Sequence, residues 1–169
     1  YSRLWVYDKD LNLLWKFNYK NTGHFPFSYD FNKDGKDEIF SCYNMIGSDG
    51  KLIWTLPIEV DHTDEIIVGK FDPDEDEMIA MVSGWEGFML VDKQGNIRLR
   101  DLNGHGQRIS AANYCPKQKG LEICTTTYWE YQGIIYLYDC KGRELWHMEP
   151  GSNGNVIAPV NWQGDGTEL

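Results

Sequence analysis

Long apolar runs are missing from this chain of 169 residues. None approaches the roughly 18 residues that a membrane-spanning helix needs. No secretory leader is visible, although the chain opens inside a strand-like run, which leaves room for a leader removed earlier. Positive charge is also scarce. Lys and Arg number 16 against 26 Asp and Glu, a net charge of −10. That balance argues against nucleic acid or an anionic membrane as partner, since both need cationic patches, and it suits cation binding. There is no phosphate-cradling glycine loop and no CxxC, so nothing supports a nucleotide or redox enzyme. No convincing amphipathic helix of ten or more residues is present. Cysteines are few: Cys42, Cys115, Cys124 and Cys140. They allow two disulfides in three pairings, or four free thiols, since three of them sit in apolar strand runs where free Cys packs well.

Aromatic residues are abundant instead. They make up 14% of the chain, with seven Trp and ten Tyr. That suits packing between sheets or a sugar-binding surface. The chain also repeats itself. Strand-like runs lead from Val6-Tyr7-Asp8 to Trp15, from Gly47-Ser48-Asp49-Gly50 to Trp54, from Val91-Asp92-Lys93 to Leu99, and from Tyr138-Asp139-Cys140 to Trp146. Trp15, Trp54, Leu99 and Trp146 therefore recur at steps of 39, 45 and 47 residues. Between these runs a His, an apolar run and an acidic turn recur: His24 to Gly35, His62 to Asp74, His105 to Tyr114, and a weaker copy from Gly154 to Gly166. Self-similarity at roughly 40–50 residues marks a propeller, solenoid or array.

The local periodicity is that of strands. Leu4 to Tyr7, Ile66 to Gly69, Met78 to Val82, Ile123 to Tyr128 and Ile134 to Tyr138 are short β-branched or aromatic runs. Turn pairs such as Asp34-Gly35, Asp49-Gly50, Gln94-Gly95, Lys141-Gly142 and Asp165-Gly166 bound them. The expected fold is all-β, a β-propeller of four-stranded antiparallel blades. Three full blades fall at about 22–56, 61–100 and 104–148, with partial blades at 1–18 and 153–169. Such an array does not close by itself, and open sheet edges invite pairing. A single propeller domain or a fragment of one is expected, completed by the rest of a longer propeller chain or by a second copy.

The sharpest local motif is Asp30-Phe31-Asn32-Lys33-Asp34-Gly35-Lys36-Asp37-Glu38. Oxygen side chains fall at positions 1, 3, 5 and 9, with Gly at 6, the arrangement a hard cation such as Ca²⁺ uses. Asp30, Asn32 and Asp34 are the expected ligands, with the backbone carbonyl of Lys36, and Asp37 or Glu38 closes the shell. A metal-free Asx-type turn is the bland alternative. The second copy, with Asp72 and Asp74, is acid-rich but lacks the glycine and has Lys70 where the first has Asp30. The third has lost its acids to Cys115, Lys117 and Lys119, and the fourth is ambiguous.

His24, His62 and His105 precede the innermost strand of three successive copies. That phase predicts one rim of a central channel, where imidazoles can bind metal, move protons or line the mouth; a repeated strand-start hydrogen bond is the alternative. His147 reads as surface. Loops between second and third strands carry Trp85-Glu86 and Tyr128-Trp129-Glu130-Tyr131. An indole stacks on the apolar face of a pyranose and Glu accepts its hydroxyl hydrogens, so Trp85, Glu86, Trp129 and Glu130 are candidate substrate-binding residues, with packing between blades as the alternative.

The segments from Gly23 to Ile39, Ser48 to Lys51, His62 to Asp74, Val91 to Gly95 and Gly120 to Ile123, in that order over about residues 20–169, resemble the rhamnogalacturonan lyases of polysaccharide lyase family 11. The resemblance implies an eight-bladed propeller with bound calcium that cleaves the rhamnose–galacturonate backbone of pectin by β-elimination. It implies an acidic plant polysaccharide such as rhamnogalacturonan I as partner, and a secreted or periplasmic location. It makes Asp30, Asn32, Asp34 and Glu38 calcium ligands and puts His24, His62 and His105 at the channel mouth. It places no catalytic base; Lys33, Lys36 and Lys70 have no supporting motif. A non-catalytic, integrin-type propeller module for carbohydrate or protein binding is the competing expectation.

Overall fold

The computed structural model describes residues 2–59, 61–129, 133–151, 156–162 and 164. Among them all regular structure is β, in three four-stranded antiparallel sheets and one hairpin. The hairpin pairs β1 (Ser2–Tyr7) with β2 (Leu13–Tyr19). The first sheet comprises β3 (Phe27–Tyr29), β4 (Glu38–Ser41), β5 (Asn44–Ile46) and β6 (Leu52–Thr55). The second comprises β7 (Thr63–Gly69), β8 (Met78–Ser83), β9 (Gly87–Asp92) and β10 (Ile97–Asp101). The third comprises β11 (Gly106–Ala112), β12 (Glu122–Thr127), β13 (Ile135–Tyr138) and β14 (Glu144–Met148). Each is a meander, sequential strands lying side by side.

The side-chain alternation of a strand explains how the sheets stack. In β8, Ile79 and Met81 face the first sheet, where they join Phe40, Met45 and Leu56. Ala80 and Val82 face the third sheet and join Ile109, Ile123 and Tyr138. In β9, Met89 and Val91 turn one way, Phe88 and Leu90 the other. The second sheet is thus buried on both faces, and β8 reads as an unbroken apolar run. Each fully buried aliphatic or aromatic side chain contributes roughly 1.5–3 kcal/mol. The outer strand β10 alternates half-buried and exposed instead, with Arg98 and Arg100 outward.

A second device joins the units. The Trp15 indole N–H donates to Ser48 O at 2.9 Å, and the Trp54 indole to Lys93 O at 3.1 Å. Through these bonds β2 and β6 each reach the hairpin turn of the sheet that follows. The cysteines among the described residues are all free thiols; Cys42 and Cys124 are buried. Most of the segment expected as the last partial blade, 153–169, lies outside the described residues.

Candidate functional site

His24, His62 and His105 stand just before the first strands of the three sheets, at the same phase of the repeat. Because the sheets stack face to face, the three imidazoles meet. The His24 and His62 ring centroids are 4.8 Å apart, and those of His62 and His105 are 6.0 Å apart. Backbone hydrogen bonds hold this rim, two across the sheet boundaries, His24 N to Thr63 O at 3.0 Å and Gly106 N to Gly84 O at 3.1 Å, and two within a sheet, Gly84 N to His62 O at 3.0 Å and Tyr128 N to His105 O at 2.8 Å.

Asp64 sits at the centre, on the second residue of β7, and its side chain is only 2% exposed. Its Oδ1 accepts from Gln107 Nε2 at 3.1 Å, while its Oδ2 is buried with no hydrogen-bond donor. His24 Nε2 lies 3.9 Å from Oδ1; His62 Nε2 and His105 Nε2 each lie 3.7 Å from Oδ2. These separations are too long for hydrogen bonds. Those of His24 and His62 match two donors held by one ion at roughly 2.0–2.2 Å each. Among the described residues, His24, His62 and Asp64 are the one group of three such side chains whose ligand atoms lie within 4.8 Å of one another. His62 Nδ1 faces Asp61 Oδ1 at 3.0 Å. With the Nδ1 proton directed to Asp61, Nε2 keeps its lone pair toward Asp64, so two acceptors face one void. A carboxylate behind a histidine in this way is the usual support for a metal ligand. Asp61 itself is held at φ 70°, its carboxylate accepting from the Trp85 N–H; a side chain on Gly84 would occupy that carboxylate's place.

Burial shifts the titration of this cluster. It pushes the Asp64 carboxyl up to about 6, the His62 imidazole working against it. It also lowers His105, with Asp61 opposing. A buried carboxylate with a bare oxygen is costly in the absence of a cation.

The cluster forms the floor of an open cleft of about 590 Å³, lined also by Arg108, Tyr128, Trp129 and Val156. Arg108 lies over the Phe25 ring, 5.3 Å from its centroid. Trp129 is 61% exposed and held at φ 50°. Trp85 is half exposed and meets His105 edge-on at 5.8 Å. Glu86 is buried in an ion pair with Arg100, outside the cleft lining. Glu130 lies outside the described residues. His147 is exposed, 2.6 Å from Glu144 Oε1. Asp64, Gln107 and Arg108 were missed by sequence reasoning. The signal was available: they lie two or three residues after the aligned histidines.

The acidic turn between β3 and β4 lies elsewhere. Asp30 accepts from Asp34 N at 3.0 Å and Gly35 N at 2.9 Å. Asn32 Oδ1 accepts from Asp34 N at 2.8 Å, and Asp34 Oδ1 from Lys36 N at 2.9 Å. Buried Glu38 accepts from Phe31 N at 3.0 Å and from Asn32 Nδ2 at 2.9 Å. The four expected ligand side chains thus converge on one loop, each bound to its amides. In the second turn the acids meet cations of the next repeat. Lys141 Nζ is 3.4 Å and Lys119 Nζ 3.7 Å from Asp72, and Lys119 also pairs with Asp74.

No family model matches this chain, and no curated protein matches it. Solved structures do. It is similar to the rhamnogalacturonan lyase YesW at 23% identity and TM-score 0.68, to the Bacillus licheniformis rhamnogalacturonan lyase PL11 at 22% and 0.66, and to the exotype rhamnogalacturonan lyase YesX at 22% and 0.69. The alignments cover 84–85% of this chain and 26% of each of those chains, so it spans about a quarter of their length. The likeness is one of fold.

Proposed function

We propose that this chain is the cation-holding portion of a β-propeller polysaccharide lyase that acts on an acidic pectic chain of the rhamnogalacturonan type, outside the cytoplasm or in the periplasm. The observation that carries the reading is Asp64: a buried carboxylate with a bare oxygen, facing imidazoles across a cation-sized gap, under a cleft lined by one guanidinium and the exposed Trp129 indole. Likeness of fold to rhamnogalacturonan lyases supports the substrate class.

The residues fit a divalent ion, with His24, His62 and Asp64 as its protein ligands. Two nitrogens and one oxygen suit zinc-like ions by donor type, and water or uronate oxygens would complete a calcium shell. The all-oxygen turn of Asp30, Asn32, Asp34, the Lys36 carbonyl and Glu38 is the proposed structural calcium site. When bound at the rim, the ion supplies positive charge that neutralises a uronate carboxylate and acidifies the adjacent C5–H. Arg108, which lines the same cleft, pairs with that carboxylate. Trp129 and Trp85 offer their faces to the sugar rings. His105, held neutral by its burial, accepts the C5 proton at Nε2. The C5–H electron pair forms the C4–C5 double bond as the C4–O bond breaks, and the departing oxygen takes a proton from solvent.

The test is incubation with rhamnogalacturonan I, with calcium, with zinc and with chelator, following ultraviolet absorbance of the unsaturated uronate. Ion-dependent absorbance supports the reading. If the chain, alone and as part of its complete propeller, retains the polysaccharide but releases no unsaturated product, the integrin-type binding module replaces it.

A further inference from the structure

The first and second acidic turns differ in what the neighbouring unit brings to them. At the joint between the second and third sheets, the turn before β12 docks on the turn before β8. Leu121 N donates to Phe71 O at 2.9 Å, and a Cβ on Gly120, at φ 84°, would strike that carbonyl. This close approach sets Lys119 beside the second turn. Its Nζ pairs with Asp74 and lies 3.7 Å from Asp72 Oδ1. Lys141, from the turn between β13 and β14, lies 3.4 Å from Asp72 Oδ2. The Asp72 side chain is 4% exposed, and its Oδ2 has no hydrogen-bond donor among the described residues. A buried carboxylate in that position needs positive charge beside it, and two ammonium groups stand there.

The joint between the first and second sheets fills the same two positions differently. Lys119 stands three residues before β12 begins, and three residues before β8 stands Glu75. Lys141 precedes the positive-φ Gly142 of its turn, and Gln94 precedes the positive-φ Gly95. Glu75 and Gln94 line one cleft with Asn32 and Glu38 of the first turn. An acid and an amide therefore face the first turn where two lysines face the second, a difference of three charges. Among the described residues, the carboxylates of Asp30, Asp34 and Glu38 accept from amides alone.

We propose that Lys119 and Lys141 stand in for a divalent ion at the second turn, so that Asp72 and Asp74 hold no metal, and that giving this joint the residues of the first opens the turn to calcium. Two ammonium groups carry the charge of one calcium ion. Each is a compact point charge on a flexible stem, so the pair neutralises the acids without the six to eight oxygens that calcium takes. An ion entering the turn would have to displace both heads against their repulsion. The inference concerns the second turn alone and stands whether or not the chain acts on polysaccharide.

The experiment titrates calcium into the full chain by calorimetry at low salt. The exchanged variant combines Lys119→Glu with Lys141→Gln, the residue types of the first joint, and circular dichroism checks its fold. The milder pair Lys119→Gln and Lys141→Gln removes both cations without adding an acid and serves as the second variant. The unmutated chain and Asp72→Asn are expected to bind the same number of calcium ions. Each exchanged variant is expected to bind one more, with Kd of about 10⁻⁴–10⁻³ M, and adding Asp72→Asn removes that extra ion. Loss of a calcium ion from the otherwise unmutated chain on Asp72→Asn overturns the proposal, because the turn then holds metal despite its lysines. So does the absence of an added ion in both exchanged variants, or an added ion that survives Asp72→Asn.

Discussion

Replacing Asp64 by asparagine separates what the folded chain wants from what the site needs. Burial raises the Asp64 carboxyl from 3.8 to about 6. Two units at 1.36 kcal/mol each make a penalty of ~3 kcal/mol on the ion-free chain at neutral pH. The sign follows from linkage: the folded-state value lies above the unfolded one, so folding takes up a proton between them. The penalty is fully present above about pH 6 and fades as pH falls toward 4. Asparagine keeps the shape and the acceptor for Gln107, and it puts an N–H donor where Oδ2 now faces the His62 and His105 nitrogens. In chelator near pH 7, Asp64→Asn is therefore expected to raise Tm, by about 6–12 °C at 2–4 °C per kcal/mol. It also flattens the gain in Tm that the unmutated chain shows on acidification. Calcium and zinc affinity by titration calorimetry is expected to fall about 100-fold or more, as a ligand loss should exceed the usual cost of losing a supporting residue. A lower Tm in chelator, or ion binding equal to that of the unmutated chain, refutes the reasoning.

Other perturbations test separate parts. Gly95→Ala forces a Cβ against Trp54 at φ 86° and should cost about 1–3 kcal/mol, read by urea unfolding. Asp30→Ala removes the acceptor of two solvent-exposed backbone amides; it should cost about 0.5–1.5 kcal/mol and reduce any calcium-dependent rise in Tm. Trp129→Ala should weaken retention on rhamnogalacturonan I by about 2- to 12-fold, the equivalent of about 0.5–1.5 kcal/mol of ring contact, while leaving ion binding unchanged.

The all-β fold and its four-stranded sheets were legible because short apolar runs and turn pairs recur at a steady phase. Strand positions came directly from this pattern: Met78 to Val82 was expected as a strand and Met78–Ser83 is one. The coming together of His24, His62 and His105 was legible for the same reason, since equal phase in stacked sheets means one rim. What a single residue does at that rim was not legible. Glu86 beside Trp85 read as a sugar acceptor, but Arg100 on the neighbouring strand ends up paired with it. The acids of the second turn looked like ligands, yet Lys119 and Lys141, from the next repeat, reach Asp72. Both pairings join residues far apart in sequence, where local spacing carries no information.

The site arises where the repeat stops repeating. Two residues after the three histidines stand Pro26, Asp64 and Gln107. The repeat alone gives three imidazoles, which would line a mouth and nothing more. Placing a carboxylate in the middle copy puts its charge among all three rings. Placing an amide in the next copy ties down one oxygen, Oδ1, through Gln107 Nε2, and leaves Oδ2 aimed at the gap. Gln107 is thus expected to act by orientation. Gln107→Ala frees the Asp64 carboxylate to rotate, which should weaken ion affinity by about 10–100-fold. Gln107→Glu would set a second carboxylate against the first, and either lose Gln107's hold on Oδ1 or bind an ion of higher charge more tightly. Titration of calcium against a trivalent lanthanide distinguishes these outcomes, and unchanged affinity in both variants would remove Gln107 from the site.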